Sequence, residues 1–363
     1  MARKLAFDRP LFVTGIGLAL FGLVMIFSAS GPLSMENYGS PYHFLARQAA
    51  AFVIGLGGMA VAMNLDYRQL LKRSVVVTAL AVSTLLLAGV LVADRAHQVH
   101  RWIKVGPIQI QPSEIAKLAL VLYLASQIAK REDQVNDLLR TVLPIAVVVG
   151  QMALLVYLEP DLGTATLYVV LACVLLFLAG LRWRYLLFSA GTGIAALAML
   201  IVAAPYRLRR ITSFLHPDDD PLGAGFQVRQ SIVAVASGGI QGVSLGEGRQ
   251  KLFFLPEPHT DFIFSVVSEE LGLIGAVLVI AAFGVLVWRG LRAAQGAPDR
   301  GGYYLAMAIT TWLGLQAIIN VGVALGCLPT KGVPLPFLSY GGSSLVVNLV
   351  ALGMLLNVSQ HAE

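Results

Sequence analysis

Glu114 and Lys117 follow Gln111-Pro112-Ser113 and open a long apolar stretch. Proline suits a first helical turn, and at i, i+3 a carboxylate and an ammonium share one helix face and can pair. They form either a structural ion pair near a membrane interface or part of a site, since ionisable groups at membrane depth are costly and are functional candidates by default. Asp261, in PEPHTDFIF, stands where another apolar run begins. A helix N-terminus stabilises a carboxylate there, so Asp261 is either a simple cap or, with Thr260 as the cap, is left to face a cleft. Glu269 and Glu270 follow about 12–14 Å further along the same helix. At least one of them must face protein, and a structural hydrogen-bonding role is favoured over a catalytic one. Arg101, Lys104, Arg207, Arg209, Arg210, Arg229, Arg249 and Lys331 lie in connecting segments. Arginine forks and lysine point charges suit phosphate oxygens, although ordinary solvated charge accounts for several of them equally well. Glycine clusters at Ser237-Gly238-Gly239, Gly246 to Gly248 and Tyr340-Gly341-Gly342-Ser343-Ser344 allow close backbone approach to a ligand. They serve turns and tight helix packing just as readily. The six histidines show no ligand spacing, and no zinc site is expected.

The elements that must position these groups are transmembrane helices. Of 363 residues, 57% are hydrophobic and 13% charged, where a soluble domain carries about 45–50% and about 25%, and the mean hydropathy is +0.76. A soluble enzyme is excluded. The chain reads as an all-α polytopic membrane protein, one domain over 1–363. The net charge of +6 reflects topology and anionic headgroups rather than nucleic acid. Cys173 and Cys327 supply neither a disulfide framework nor a paired-cysteine metal site.

Apolar runs cover roughly 11–29, 44–64, 74–93, 112–129, 140–158, 163–180, 183–204, 262–288, 303–327 and 339–358, which predicts ten helices. The first run is too long for a signal-peptide core and is read as a retained helix. An even number places both termini on one side. Segments 1–10, 65–73, 130–140, 181–184 and 289–302 carry 14 basic residues, against five in the other short segments. Basic residues favour the cytoplasmic side, so both termini are expected there. The long connection from about 205 to 260, between the seventh and eighth helices, is then extracytoplasmic. Its stretch GAGFQVRQSIVAVASGGIQG predicts a short helix resting on the membrane surface.

RWIKVGPIQIQPSEIAK (101–117), EPDLGTA (159–165), RRITSFLHPDDDPLGAGFQVRQS (209–231), LPEPHTDFIFSVVSEELGLIG (255–275) and LPTKGVPLPFLSYGGSS (328–344) together resemble the SEDS family of shape, elongation, division and sporulation proteins. The resemblance covers almost the whole chain, and PSE, HTDFIF, EELG and SYGGS in this order are specific. It implies a ten-helix glycosyltransferase of the bacterial cytoplasmic (inner) membrane that polymerises lipid II into peptidoglycan strands. It also implies a class B penicillin-binding protein as crosslinking partner, with other division-complex membrane proteins beside it. RRITSFLHP, LGEGRQK and LPTKG followed by YGGSS are similar to the division branch, while GVPLPF is similar to the elongation branch. Composition and spacing do not themselves show this activity.

Within the resemblance, Asp261 matches the family's proposed catalytic aspartate. It would take the proton of a GlcNAc 4-hydroxyl during inverting attack on a MurNAc carrying a lipid diphosphate, or coordinate a divalent cation, Mg²⁺ or Mn²⁺, that neutralises the diphosphate. Glu114 and Lys117 match positions important for function. Lys117, Arg210 and Lys331 are assigned to diphosphate or sugar binding, with Arg101, His259 and Ser343 as supporting or substrate-binding residues. The rival readings are a lipid II flippase, for which Glu269 and Glu270 at membrane depth are the main support, and a scaffold without chemistry, which leaves the Asp261 cluster unexplained.

Overall fold

The computed structural model describes residues 7–93, 101–105, 108–202, 208, 212–214, 224–252, 254–329 and 332–362. Arg207, Arg209, Arg210 and Lys331 lie outside the described residues, as do most of 203–223. The long helices are α1 (Arg9–Tyr38), α2 (His43–Asn64), α3 (Arg73–Ala93), α4 (Pro112–Arg131), α5 (Leu143–Leu158), α6 (Leu162–Leu178), α7 (Trp183–Val202), α8 (Ala224–Ser237), α9 (Ile263–Gln295), α10 (Arg300–Ala324) and α11 (Gly342–Ser359). Each of the ten predicted runs overlaps one of them, and α8 is the helix expected in the long connection. Among the described residues, seven helical segments are long and apolar enough to cross a membrane: α1, α2, α3, Leu138–Leu158, α9, α10 and α11. The first of these begins with Asp8 as N-cap, its carboxylate accepting from the Leu11 amide.

Of the ten that match predicted runs, α4, α6 and α7 are not among these seven. α4 carries Glu114, Lys117, Lys130 and Arg131, yet most of its length is buried in the protein; a helix surrounded by other helices need not be apolar enough to face lipid. α6 is an apolar helix of 17 residues. Helix packing is tight where glycines face a neighbour. α2 lies along α11 so closely that a Cβ on Gly353 would stand 2.5 Å from the Met59 carbonyl oxygen, the close approach that small residues permit between membrane helices.

The connecting segments sort into two sets, as the alternation of spans predicts. At one end, Asp8 pairs with Arg289, Arg68 with Asp299 at 2.8 Å, and Arg300 with Glu132 at 2.9 Å. There too Asn136 bonds the Gly180 carbonyl and the Arg182 amide. Ser359, at the end of α11, accepts from the Asp8 amide. All five basic-rich segments and the end of the last helix therefore share one end of the bundle. At the other end meet residues 101–105, 108–111, 159–161, 257–261 and 332–343.

Two features at that second end were not anticipated. Residues 101–111 include an antiparallel hairpin, Ile103–Val105 with Ile108–Ile110, in the register Ile103↔Ile110 and Val105↔Ile108. And α9 is broken at Gly272, whose φ of 65° is left-handed. The strand of chain after α8 inserts at the break: Val243 and Ser244 amides donate to the Glu269 and Glu270 carbonyls, while Leu273 and Ile274 amides donate to Gly239 and Ile240 carbonyls. The freed helical groups are thereby paired again. A Cβ on Gly238 would lie 1.9 Å from the Ser268 oxygen, so only glycine passes there. α8 packs against α9 and α10, its buried Ser231 Oγ 2.6 Å from Ser265 Oγ and 2.7 Å from the Ala324 carbonyl oxygen.

Candidate active site

Asp261 lies on the turn that precedes α9, one residue before the N-cap, which is Phe262 and makes no side-chain cap bond. Thr260 does not cap the helix as expected; its hydroxyl donates to the Glu257 carbonyl. The Asp261 side chain is half-buried and faces the segment after Lys331: its Oδ2 is 3.4 Å from where a Gly332 side chain would begin. Several hydrogen bonds zip residues 259–261 to 333–341. The Tyr340 amide donates to the His259 carbonyl at 2.8 Å, and Ser339 Oγ donates to the Thr260 carbonyl at 2.5 Å. Asn320 Nδ2, from α10, donates to both the Asp261 carbonyl (3.0 Å) and the Val333 carbonyl (2.9 Å). Gln48, from α2, holds the far end by bonding the Ser339 carbonyl and the Gly341 amide.

Glu114 and Lys117 form the predicted ion pair, 2.7 Å apart with both side chains 2% exposed. Lys117 Nζ also donates to Gln316 Oε1 at 3.3 Å and lies over the Trp312 ring. Trp312 Nε1 donates to the same Gln316 oxygen. The Lys117 ammonium is thus engaged by a carboxylate, an amide oxygen and an aromatic face. Tyr168, from α6, ties the start of α4 by donating to the Ser113 carbonyl at 2.6 Å.

Arg101 also serves structure. Its guanidinium donates to the carbonyls of Glu159, at 2.9 Å, and Pro160 at the end of α5, where a cation complements exposed carbonyls. Ser343 joins the hairpin to α11: its hydroxyl accepts from the Gln111 amide at 3.1 Å and donates to the Gln109 carbonyl at 2.9 Å. His259 is buried against Phe44 and Tyr340. Burial holds its imidazole below the ordinary value, with Glu257 opposing weakly. Arg210 and Lys331 lie outside the described residues.

Glu269 and Glu270 are used by the loop that follows α8. Glu269 accepts from the amides of Arg249 (2.8 Å) and Gln250 (3.1 Å). Glu270 accepts from Lys251 Nζ at 2.6 Å, Ser28 Oγ at 2.7 Å and the Gly246 amide at 3.0 Å. Both carboxylates are thus engaged by this loop.

Glu159 drew no attention as a separate residue in the sequence. It is 0% exposed, and among the described residues neither carboxylate oxygen has a hydrogen-bond partner. Burial, reinforced by Asp161 and offset in part by Arg101, pushes it up to about 8. Asp161 caps α6 by accepting from the Thr164 amide at 3.0 Å and Thr164 Oγ1 at 2.8 Å. Gln48, Trp312, Gln316 and Asn320 were also missed. Their only sequence signal is polarity within apolar runs, strongest for Gln316 and Asn320 at i, i+4.

Among the described residues no three His, Cys, Asp or Glu side chains converge as metal ligands. A divalent cation held by the Asp261 carboxylate would need further oxygen ligands, which Mg²⁺ commonly takes from water.

Comparisons with known proteins agree over the full length. The FtsW/RodA/SpoVE family model, described as a cell cycle protein, matches residues 9–363. The chain is 41% identical to stage V sporulation protein E of Bacillus subtilis, covering 99% of each chain. It is 43% identical to the probable peptidoglycan glycosyltransferase FtsW of Geobacter metallireducens, covering 98% of this chain and 96% of that one. The rod shape determining protein RodA of Thermus thermophilus superimposes with a TM-score of 0.72 at 31% identity, over 98% of this chain and 97% of that one. A chain of a peptidoglycan synthase complex, studied for its coordination of polymerization and crosslinking, gives 0.78 at 34% identity over 98% of both. A multi-pass membrane protein with this fold, matched by the family model along nearly all its length, belongs to the FtsW/RodA/SpoVE family.

Proposed function

We propose that this protein is a peptidoglycan glycosyltransferase that polymerises lipid II on the outer face of the bacterial cytoplasmic membrane, in the service of cell division. The observation that carries the reading is the setting of Asp261. It is a partly accessible carboxylate on a turn that is hydrogen-bonded to residues 333–341, and Asn320 and Gln316 of one helix link it to a buried Glu114–Lys117 pair. In the reaction, a GlcNAc 4-hydroxyl attacks the anomeric carbon of a MurNAc that carries the lipid diphosphate. The new bond forms as the carbon–diphosphate bond breaks, with inversion, and the hydroxyl proton passes to Asp261. A diphosphate leaves without needing a proton at neutral pH, so one base suffices, unlike the paired carboxylates of glycoside hydrolysis. A divalent cation, if bound by Asp261, would neutralise the diphosphate. Lys331 and Arg210 are assigned to binding that diphosphate, with Glu114, Lys117, Arg101 and Ser343 supporting the cleft walls.

The accompanying topology has ten spans, both termini in the cytoplasm and residues of about 205–260 outside. The clustering of the basic-rich segments at one end of the bundle supports this arrangement, since basic residues favour the cytoplasmic side. The likeness to a chain of a complex that coordinates polymerization and crosslinking supports a crosslinking partner, here a class B penicillin-binding protein, and RRITSFLHP with LGEGRQK supports the division branch over elongation. Engagement of Glu269 and Glu270 by the loop removes the main support for a flippase. The test is polymer formation from lipid II by purified protein with its penicillin-binding partner. Lipid II crossing vesicle bilayers without polymer would favour the flippase.

A further inference from the structure

Aromatic rings make a continuous array that ends beside the Asp261 turn. Tyr38, the last residue of α1, stacks on His43 with ring centres 3.7 Å apart and planes at 4°. Both rings meet Phe44 edge-on at 5.6 Å. Phe44 in turn lies 5.0 Å from Tyr340 and 4.8 Å from His259, two residues before Asp261. The array runs from accessible to enclosed: Tyr38 is 53% exposed and His259 4%. Polar groups flank it. Among the described residues His43 Nε2 is buried without a hydrogen-bond partner, and Arg47, one helical turn beyond His43, sits beside the Tyr340 phenol.

Such a surface matches the chemistry of a sugar ring. A pyranose presents a face of C–H groups that packs on an aromatic face, and a rim of hydroxyl and acetamido groups that need donors and acceptors. Tyrosines are also enriched at membrane interfaces with no ligand at all. Tyr42 is of that kind: it is 57% exposed and stacks on Phe27, outside the array. An interfacial belt accounts for Tyr42, but not for the ordered succession that joins Tyr38 to His259.

We propose that the exposed face of Tyr38, with His43 and Arg47 at its edge, is a saccharide subsite that holds an N-acetylhexosamine ring of the glycan strand beyond the reacting pair at Asp261. The subsite rests on the polymerase reading and would make synthesis processive, since a strand held at a second point stays bound between additions.

The experiment uses the full-length protein in lipid nanodiscs and reads two quantities. One is polymer length from lipid II with the penicillin-binding partner; the other is binding of chitotetraose, a β-linked N-acetylglucosamine oligomer, by saturation-transfer NMR. Tyr38→Ala should shorten the polymer and weaken chitotetraose binding, each about three- to tenfold, the range of one aromatic contact. Tyr38→Phe should keep both, and Tyr42→Ala, at a residue of similar exposure, should change neither. Tyr38→Leu, which keeps apolar bulk without the aromatic face, should behave as Tyr38→Ala and covers the case in which the alanine variant melts early. Wild-type polymer length and binding in both Tyr38→Ala and Tyr38→Leu would overturn the subsite. An equal loss in Tyr42→Ala would overturn it in favour of an interfacial belt. Chitotetraose binding that depends on Tyr38 in a wild-type protein making no polymer would uphold the subsite and sink the polymerase reading instead.

Discussion

Gln316 and Asn320 stand one helical turn apart on α10; the first accepts from Lys117, and the second donates to the backbone of Asp261. A single helix thus sets the height of the buried ion pair relative to the proposed base, about 6 Å along its axis. Asn320 also bonds the Val333 carbonyl, which ties the Asp261 turn to the segment that follows Lys331.

Loss of that tie should separate activity from fold. Asn320→Ala removes two hydrogen bonds to backbone carbonyls, each worth about 0.5–1.5 kcal/mol. The expected result is a lower melting temperature and glycan synthesis reduced about tenfold or more, since small misplacements at a reacting centre are costly. Gel analysis of polymer beside a thermal melt checks both. Unchanged synthesis in Asn320→Ala would show that the tie does not position Asp261.

Asp261→Asn should abolish polymer while leaving the protein folded. The amide keeps the size of the side chain but neither takes a proton at neutral pH nor supplies charge. General-base assistance is worth about 10²–10⁴-fold in rate. Repeating the wild-type assay with a chelator, then with added Mg²⁺ or Mn²⁺, separates a base from a metal ligand. Near-normal polymer from a folded Asp261→Asn removes Asp261 from catalysis.

Glu114 and Lys117 should be strongly coupled in stability. Removing one member of a buried pair strands the other, at about 3–5 kcal/mol, whereas removing both costs less. A double-mutant cycle with Glu114→Gln and Lys117→Met, read by unfolding, should show this non-additivity. Additive losses would mean the two side chains serve separate ends.

Glu159 should make stability fall with rising pH. Its folded value is raised to about 8, mainly by burial, so the folded state holds a proton that the unfolded state releases at lower pH. The associated stability is complete below the ordinary carboxylate range and is lost as pH rises through about 8. Melts between pH 5 and pH 8.5 should show a decline in the wild type that Glu159→Gln lacks. Parallel curves for the two proteins would place the pH dependence elsewhere.

Cysteine labelling of intact cells can test the orientation, once Cys173 and the exposed Cys327 are replaced by serine. A cysteine at Glu247, exposed in the loop after α8, should react with a membrane-impermeant reagent, and one at Asp299 should not. The reverse pattern would overturn the topology.

The sequence alone determined where the apolar runs lie and which connecting segments share an end, because both follow from local composition and from the parity of spans. It also determined the Glu114–Lys117 pair, since i, i+3 spacing puts two side chains together whatever the rest of the chain does. The family, too, was legible in PSE, HTDFIF, EELG and SYGGS taken in order. Tertiary structure decided what those residues do. Arg101 became a brace for the end of α5, and Glu269 with Glu270 became anchors for a loop 20 residues earlier in the chain. The α9 break depends on Gly238 to Ser244 arriving to pair the freed backbone groups, which no local pattern announces. The Asp261 carbonyl is held by Asn320 of α10, 59 positions away, and its side chain faces Gly332. Contacts across such separations are set by how the helices pack, and packing depends on shapes summed over the whole bundle rather than on any one stretch of sequence.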